Sequence, residues 1–354
     1  MKRYLALILI GLSLMLSGCG NPEDTSAAEQ PEEIPSASRD VFAMDTYMTV
    51  TCYGTQCEAA VDAAAGEIVR LDELLSVGSP QSEIFGVNTS GSGVVSEDTA
   101  GMIEKSLALN GETNGAFDIT VYPLMELWGF TSGNYAVPDE AELARVLGTV
   151  GSHMLTYDAN TRELHLSPGQ GIDLGGIAKG FTSDRIMEIF ADYGIVSGMV
   201  SLGGNVQLYG AKPDGSDWRI GVQDPYAGDE GGTLMGVLTA RDCAVITSGA
   251  YERYFVDEDG TAYHHILDPK TGYPANNGLI SVTIVSPSGM LADGLSTACY
   301  VMGLDAAVEY WRSRAESFDM ILMTDTGEVY ITEPLSNCFT TDYPLHIIEE
   351  DANA

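Results

Sequence analysis

Three short segments combine residue types that handle metals, phosphates and protons. In Asp293-Gly294-Leu295-Ser296-Thr297-Ala298 a carboxylate and a hydroxyl stand four residues apart. On a helix they share one face, and hard oxygen ligands of this kind suit Mg²⁺. The same spacing also fits an Asp at a helix start with a Thr bonding back to the helix. In Asp173-Leu174-Gly175-Gly176-Ile177-Ala178-Lys179-Gly180 the glycines run straight into an amphipathic helix. Glycine lets backbone approach a ligand closely, and free N–H groups at a helix start favour anions. The segment is neither a Walker loop nor a GxGxxG turn, and a tight turn alone accounts for it equally well. In His264-His265-Ile266-Leu267-Asp268-Pro269-Lys270-Thr271-Gly272 a His adjoins a turn-forming run. Such a His serves either as a general base or as an ordinary hydrogen-bonded residue. The His-His pair has no zinc-ligand spacing.

These residues need elements to hold them. Met44–Tyr53 alternates and is rich in Thr and Val, which predicts a strand. Glu58–Leu75 has apolar residues at helical spacing: Ala60, Val61, Ala64, Ala65, Ile68, Leu71, Leu74 and Leu75. Further helices are expected over Ser96–Asn110, Asp139–Leu147, Gly180–Tyr193, Met290–Met302 and Asp305–Ser313. Between and after them lie β-rich runs at Ser197–Leu202, Val206–Tyr209, Trp218–Val222, Leu234–Thr239, Cys243–Ser248, Tyr254–Val256 and Ile280–Val285. A closing hairpin is expected around Asp325-Thr326-Gly327. The mixture lacks strict βα alternation, so the expected fold class is α+β, with mixed helices and antiparallel-rich sheets.

Lys2 and Arg3 precede an apolar run, Tyr4–Leu16, too short for an ordinary membrane span. It ends in Leu16-Ser17-Gly18-Cys19, which resembles the bacterial lipobox. The expectation is a lipoprotein signal peptide over 1–18 and a lipidated Cys19 that anchors the chain at the outer side of a bacterial cell membrane. An ordinary secretory cleavage site is the alternative. Residues 20–38, rich in Glu, Pro, Ser and Ala, read as a flexible tether, so the folded body spans 39–350. The net charge of −35, from 51 acidic and 16 basic residues, argues against nucleic acid as a partner. It also means that an anionic substrate needs a cation to enter the site. Of six cysteines, the five other than Cys19 cannot all pair within the chain, and they read as mostly buried small apolar residues.

Each segment is ambiguous alone, but their order is not. Met44-Asp45-Thr46, Gly115-Ala116-Phe117-Asp118-Ile119-Thr120, the Asp173–Gly180 block, Leu202-Gly203-Gly204-Asn205, Trp218–Pro225, Ser248-Gly249-Ala250-Tyr251-Glu252-Arg253, the His265–Gly272 block and Asp293–Thr297 come in sequence. Together they resemble the FAD:protein FMN transferase (ApbE) family. The resemblance implies an ApbE-like body that binds Mg²⁺ and FAD, attaches FMN to a Thr or Ser hydroxyl of a target protein and releases AMP. By position it implies Asp293, Thr297, Ser296 and the Gly176 carbonyl as Mg²⁺ ligands. Met44, Ala116, Phe117, Asp118, Asp173, Lys179 and Leu267 are implied as FAD contacts, and His265 as the catalytic base. The chain itself lacks the acceptor motif Asp-x-x-Ser/Thr-Gly-Ala-Ser/Thr, so the acceptor is expected to be a separate protein, of the membrane or secreted redox kind.

Two departures stand out. Asp45 replaces the family's Gly after Met, and Val77-Gly78 comes after Leu75-Ser76 where many members carry an aromatic residue. Two rival readings remain: a Mg²⁺-dependent FAD hydrolase giving FMN and AMP, and a lipoprotein that binds flavin without catalysis.

Overall fold

Alternation of outward polar and inward small residues starts at Ser36, so the first strand takes in residues 36–38, which composition assigns to the tether. The computed structural model describes residues 34–227, 232–313 and 317–350. The expected signal peptide, Cys19 and residues 19–33 of the tether lie outside the described residues. Residues from Ile34 onward form one compact unit.

The chain runs β1 (Ser36–Ala43), β2 (Thr46–Tyr53), α1 (Cys57–Leu75), α2 (Glu83–Ser90), β3 (Ser92–Val94), α3 (Glu97–Glu112), α4 (Tyr122–Leu127) and α5 (Glu140–Leu147). It continues through β4 (Thr156–Asp158), β5 (Glu163–His165), α6 (Gly175–Asp192), β6 (Ser197–Leu202), β7 (Asn205–Tyr209), β8 (Trp218–Gln223), β9 (Leu234–Ala240) and β10 (Ala244–Gly249). It closes with β11 (Tyr254–Val256), β12 (Ala262–His264), β13 (Leu279–Ser286), α7 (Gly289–Met302), α8 (Leu304–Ser313), β14 (Asp319–Thr324), β15 (Val329–Thr332), β16 (Phe339–Thr340) and β17 (Leu345–Ile348). The class is α+β.

Nine strands form one sheet in the order β1-β2-β6-β7-β10-β13-β14-β15-β17. Every pairing in it is antiparallel except β15 with β17. Alternation gives this sheet two apolar faces. One face packs against helices: Met48, Val50, Val200 and Leu202 meet Ala60, Val61, Ala64 and Ile68 of α1 and Ile186 and Phe190 of α6. Beside them, Ile246, Val282 and Ile284 meet Leu291, Leu295 and Ala298 of α7. The other face carries a three-stranded sheet, β16-β9-β8, whose Trp218, Ile220, Val222 and Leu238 lie over Leu208, Val245, Ile321 and Met323. The five cysteines among the described residues are free; Cys52, Cys57 and Cys299 are buried and Cys243 and Cys338 are partly so. No described helix is long and apolar enough to cross a membrane.

Two helices, α6 and α7, carry most of the Asp173–Gly180 and Asp293–Ala298 segments. Helix α6 starts at Gly175, earlier than its amphipathic pattern predicts, because Leu174, Ile177 and Ala178 are already buried in the glycine-rich first turn. Helix α7 is capped by Ser288, whose hydroxyl accepts from Leu291 N at 3.2 Å. The Asp184 carboxylate of α6 accepts from Ser288 Oγ, Gly289 N and Met290 N at 3.0, 2.6 and 2.9 Å. A negative charge at that helix end is favourable, and it ties the start of α7 to α6. The two helices touch through glycines. A methyl group on Gly180 would overlap the Gly289 carbonyl and stand 2.6 Å from Asp293 Cβ. Gly180→Ala is therefore expected to lower stability by about 1–3 kcal/mol, as overpacking does. Urea denaturation of the variant against the parent checks this.

Candidate active site

The end of the sheet where β2 starts and β6 and β10 finish opens into a cavity of about 1580 Å³. Its wall includes Met44, Ala116, Phe117, Asp118, Asp173, Gly176, Lys179, His265, Leu267, Asp293 and Thr297. Residues spread over some 250 positions of sequence thus meet in one place.

Asp293 is almost wholly buried on α7. Its Oδ2 accepts from Gly180 N at 2.8 Å, and its Oδ1 accepts from Asn205 Nδ2 at 3.0 Å. A regular helix aims the Gly180 amide at the Gly176 carbonyl. Here that amide has Asp293 as an acceptor, at the turn whose carbonyl is the expected metal ligand. Thr297 comes one helical turn later. A Cβ placed on Gly176 would stand 3.7 Å from Thr297 Oγ1 and 3.2 Å from the Phe117 ring. Only glycine leaves that space open. Burial pushes the Asp293 carboxyl above its usual range, while nearby Lys179 and the Gly180 and Asn205 donors act in the opposite sense. A buried carboxylate held in place by hydrogen bonds, beside a hydroxyl and a glycine carbonyl, is a set of hard oxygen donors that fits Mg²⁺. Among the described residues no cluster of three or more His, Cys, Asp or Glu side chains forms a metal site.

Ser296 is the exception. Its hydroxyl is buried away from the cavity, with Ser248 Oγ at 2.8 Å and the Asp293 carbonyl at 2.8 Å as partners. One residue along the helix turns the side chain some 100°, so Ser296 faces β10. Ser248 also lies 3.4 Å from Thr297 Oγ1, so it positions the turn.

His265 reaches the cavity from the segment after β12. Its amide N–H donates to the Arg253 carbonyl at 3.0 Å, and its Nδ1 pairs with the same oxygen at 3.1 Å. A carbonyl only accepts, so Nδ1 carries the proton and Nε2 is left as the basic nitrogen. Burial pushes His265 down to about 4, so the ring is neutral at pH 7. His264 differs. Its Nδ1 accepts from Ile266 N at 3.3 Å and its Nε2 donates to the Ala275 carbonyl at 3.0 Å, which uses both nitrogens structurally.

The expected flavin contacts divide by chemistry. Asp118 lines the cavity, but its carboxylate already accepts from Thr120 N, Thr120 Oγ1, Ser152 Oγ, Ser152 N and Asn110 Nδ2 at 2.6–3.0 Å. Its side chain organises the loop, and a ligand would meet its backbone. Asp173 is half-buried in the cavity wall, with Oδ1 accepting from Gly175 N at 2.8 Å. Met44 and Asp45 form the β1–β2 turn at φ of +48° and +59°. Asp is among the residues that tolerate this left-handed region, which explains how it stands in for the family's glycine. The Met44 amide donates to Asp72 Oδ1 at 2.9 Å.

Two residues here carry no role from the sequence. Asn205 orients Asp293, and its only signal is the Gly-Gly-Asn run ahead of β7. Glu252 lines the cavity near Lys179 and Asp293 and is pushed up to about 7, chiefly by burial.

The sequence model of the ApbE family matches residues 44–322. The FAD:protein FMN transferase of Klebsiella pneumoniae is 32% identical over 271 residues, 75% of this chain and 83% of that protein. The crystal structure of the ApbE protein from Thermotoga maritima superposes with a TM-score of 0.80 at 33% identity, covering 86% of this chain and 99% of that one. The flavin transferase ApbE from Vibrio cholerae gives 0.75 at 29% identity, covering 86% and 100%.

Proposed function

The chain belongs to the ApbE family, and from that premise we propose that it moves FMN from FAD to a Thr or Ser hydroxyl of another protein, with Mg²⁺ as its metal. It is an FAD:protein FMN transferase. The observation that carries the reading is the meeting of Asp293 and Thr297 with the Gly176–Gly180 turn, in the cavity that His265 also lines.

The bond that breaks joins the two phosphorus atoms of FAD through oxygen. The bond that forms joins the acceptor oxygen to the FMN phosphorus. AMP leaves with the bridging oxygen. Nε2 of His265 takes the hydroxyl proton, which a neutral imidazole can do at pH 7. Lys179 supplies positive charge beside the phosphates. Asp293, Thr297 and the Gly176 carbonyl would hold Mg²⁺, which would supply charge neutralisation and Lewis acidity for the diphosphate. With a net charge of −35, the protein has little other means of drawing in an anion.

We place the enzyme outside the cytoplasm, tied to the membrane through Cys19. The support is the basic start, the short apolar run, Ser17-Gly18-Cys19 and the polar stretch behind them. The acceptors in reach would be membrane or secreted redox proteins.

Mass spectrometry of an acceptor domain carrying Asp-x-x-Thr-Gly-Ala-Thr, after incubation with enzyme, FAD and Mg²⁺, tests the activity. An FMN phosphoester on the Thr is expected. Release of FMN and AMP at an equal rate with and without acceptor, and no adduct, would establish a hydrolase instead. Chelation with EDTA is expected to abolish transfer, and added Mg²⁺ to restore it; transfer that persists in EDTA would remove the metal from the account.

A further inference from the structure

The cavity is larger than one ligand needs. Pockets for single small molecules run about 300–1000 Å³, and this one measures about 1580 Å³. Part of its lining belongs to the face of the large sheet away from α6 and α7. There the lining passes to Ser201, Val206 and the Ile220–Tyr226 stretch of β8 and its adjoining turn.

The strand register shows what adjoins that lobe. Met48 pairs with Leu202, and both point into the helical core. Thr49 pairs with Ser201, and Ser201 with Val206, so these three share the opposite face. Tyr47 lies on that same face, two residues before Thr49, and Phe42 is its partner across β1 and β2. Val206 is roofed by the three-stranded sheet. Phe42 and Tyr47 are not: they are 66% and 74% exposed, their rings edge-on at 5.6 Å. The Gly203 amide donates to the Tyr47 carbonyl at 3.1 Å, so the aromatic pair adjoins the cavity wall. The roof ends at β8, the edge strand of β16-β9-β8, with one side of its backbone unpaired in that sheet. The result is an open strip beside the roofed part of the sheet. Its floor is β1 and β2, its wall is the β8 edge, and its inner end is the active-site cavity.

The geometry points to this strip as the docking surface for the acceptor protein, which lays its hydroxyl-bearing segment along β8 and packs apolar surface on Phe42 and Tyr47. The inference rests on the transferase reading. A transferase, unlike a hydrolase, must admit a polypeptide to the phosphate, and this strip meets the cavity lining at Thr46 and Gly203. An unpaired strand edge binds an extended segment through backbone hydrogen bonds whatever its side chains. Exposed aromatic side chains supply contact area at low entropic cost.

The test is kinetic, with an acceptor domain carrying Asp-x-x-Thr-Gly-Ala-Thr as the probe. Phe42→Ser combined with Tyr47→Ser removes exposed side chains and leaves the core alone. The double variant is expected to raise KM for the acceptor about tenfold or more, with kcat and FAD affinity unchanged. Hydrogen exchange on the parent enzyme is expected to show protection over residues 218–223 and 46–49 when the acceptor is added. Unchanged KM with no such protection would overturn the docking surface while leaving the transferase intact. A parent dimer that the substitutions dissociate, again with unchanged KM, would assign the strip to a second copy and overturn the proposal. No transfer by the parent enzyme at all would bring down the transferase reading, and this surface with it.

Discussion

Replacing His265 by alanine is expected to slow FMN transfer by about 10²–10⁴-fold, the range for loss of a positioned general base, while FAD still binds. The ring's hydrogen bond, from Nδ1 to the Arg253 carbonyl, is local, and its one aromatic contact among the described residues is edge-on to Phe130 at 6.4 Å. Its basic nitrogen has no hydrogen-bond partner among the described residues, so little of the fold depends on it. The acceptor hydroxyl, in contrast, is a weak nucleophile without a base. A pH profile gives an independent check. Burial holds the imidazole down to about 4, against 6.5 in the unfolded chain. Between those values the unfolded state binds more protons than the folded one, so stability falls as pH drops through that window. Activity is expected to hold from neutral pH down to near 4 as far as this group decides it. Stopped-flow transfer rates across pH check it; a rate that halves near pH 6.5 would mean that His265 is not the base or is not buried when it acts.

Asp293→Ala is expected to cost about 10³-fold or more, because several kcal/mol of charge stabilisation leave with the metal. It also leaves Gly180 N and Asn205 Nδ2 without their acceptor, each a buried donor worth about 1–3 kcal/mol when unsatisfied. Loss of activity in this variant alone therefore mixes two causes. Asp293→Asn separates them. Its amide oxygen can accept from Gly180 N, and the Asn205 amide can turn to offer its own oxygen. The Asn variant is expected to keep the melting temperature of the parent in EDTA, to lose the rise that Mg²⁺ and FAD give the parent, and to lose transfer as fully as the Ala variant. Thermal melts with and without Mg²⁺ measure this. Parent-like Mg²⁺ stabilisation in the Asn variant would put the ion elsewhere.

The chemistry was legible wherever spacing and helix geometry coincide. Asp293 and Thr297 are one turn apart on α7, and a helix over 290–302 that puts both on one face is expected from the sequence. Spacing alone also nominates Ser296, and only the position of β10 shows that its hydroxyl is taken. The start of α6 was obscured because glycines usually break helices. Here contact with α7 needs them, and the burial of Ile177 outweighs their low propensity. β1 escaped because its inward residues, Ala37, Val41 at the margin and Ala43, are small, and its pairing partner is visible only in three dimensions. Asn205 and Glu252 gain their meaning from neighbours nearly 90 and more than 70 residues away in sequence. No local pattern carries that information.

A crystal structure with FAD and Mn²⁺ in place of Mg²⁺ tests the central claim most directly, because anomalous scattering locates the ion without reference to the protein. The predicted peak lies at coordination distance, about 2.0–2.2 Å, from the Asp293 carboxylate, the Thr297 hydroxyl and the Gly176 carbonyl, with FAD phosphate oxygens completing its shell. A peak away from α7, or FAD phosphates bound with no ion between them and Asp293, would contradict it.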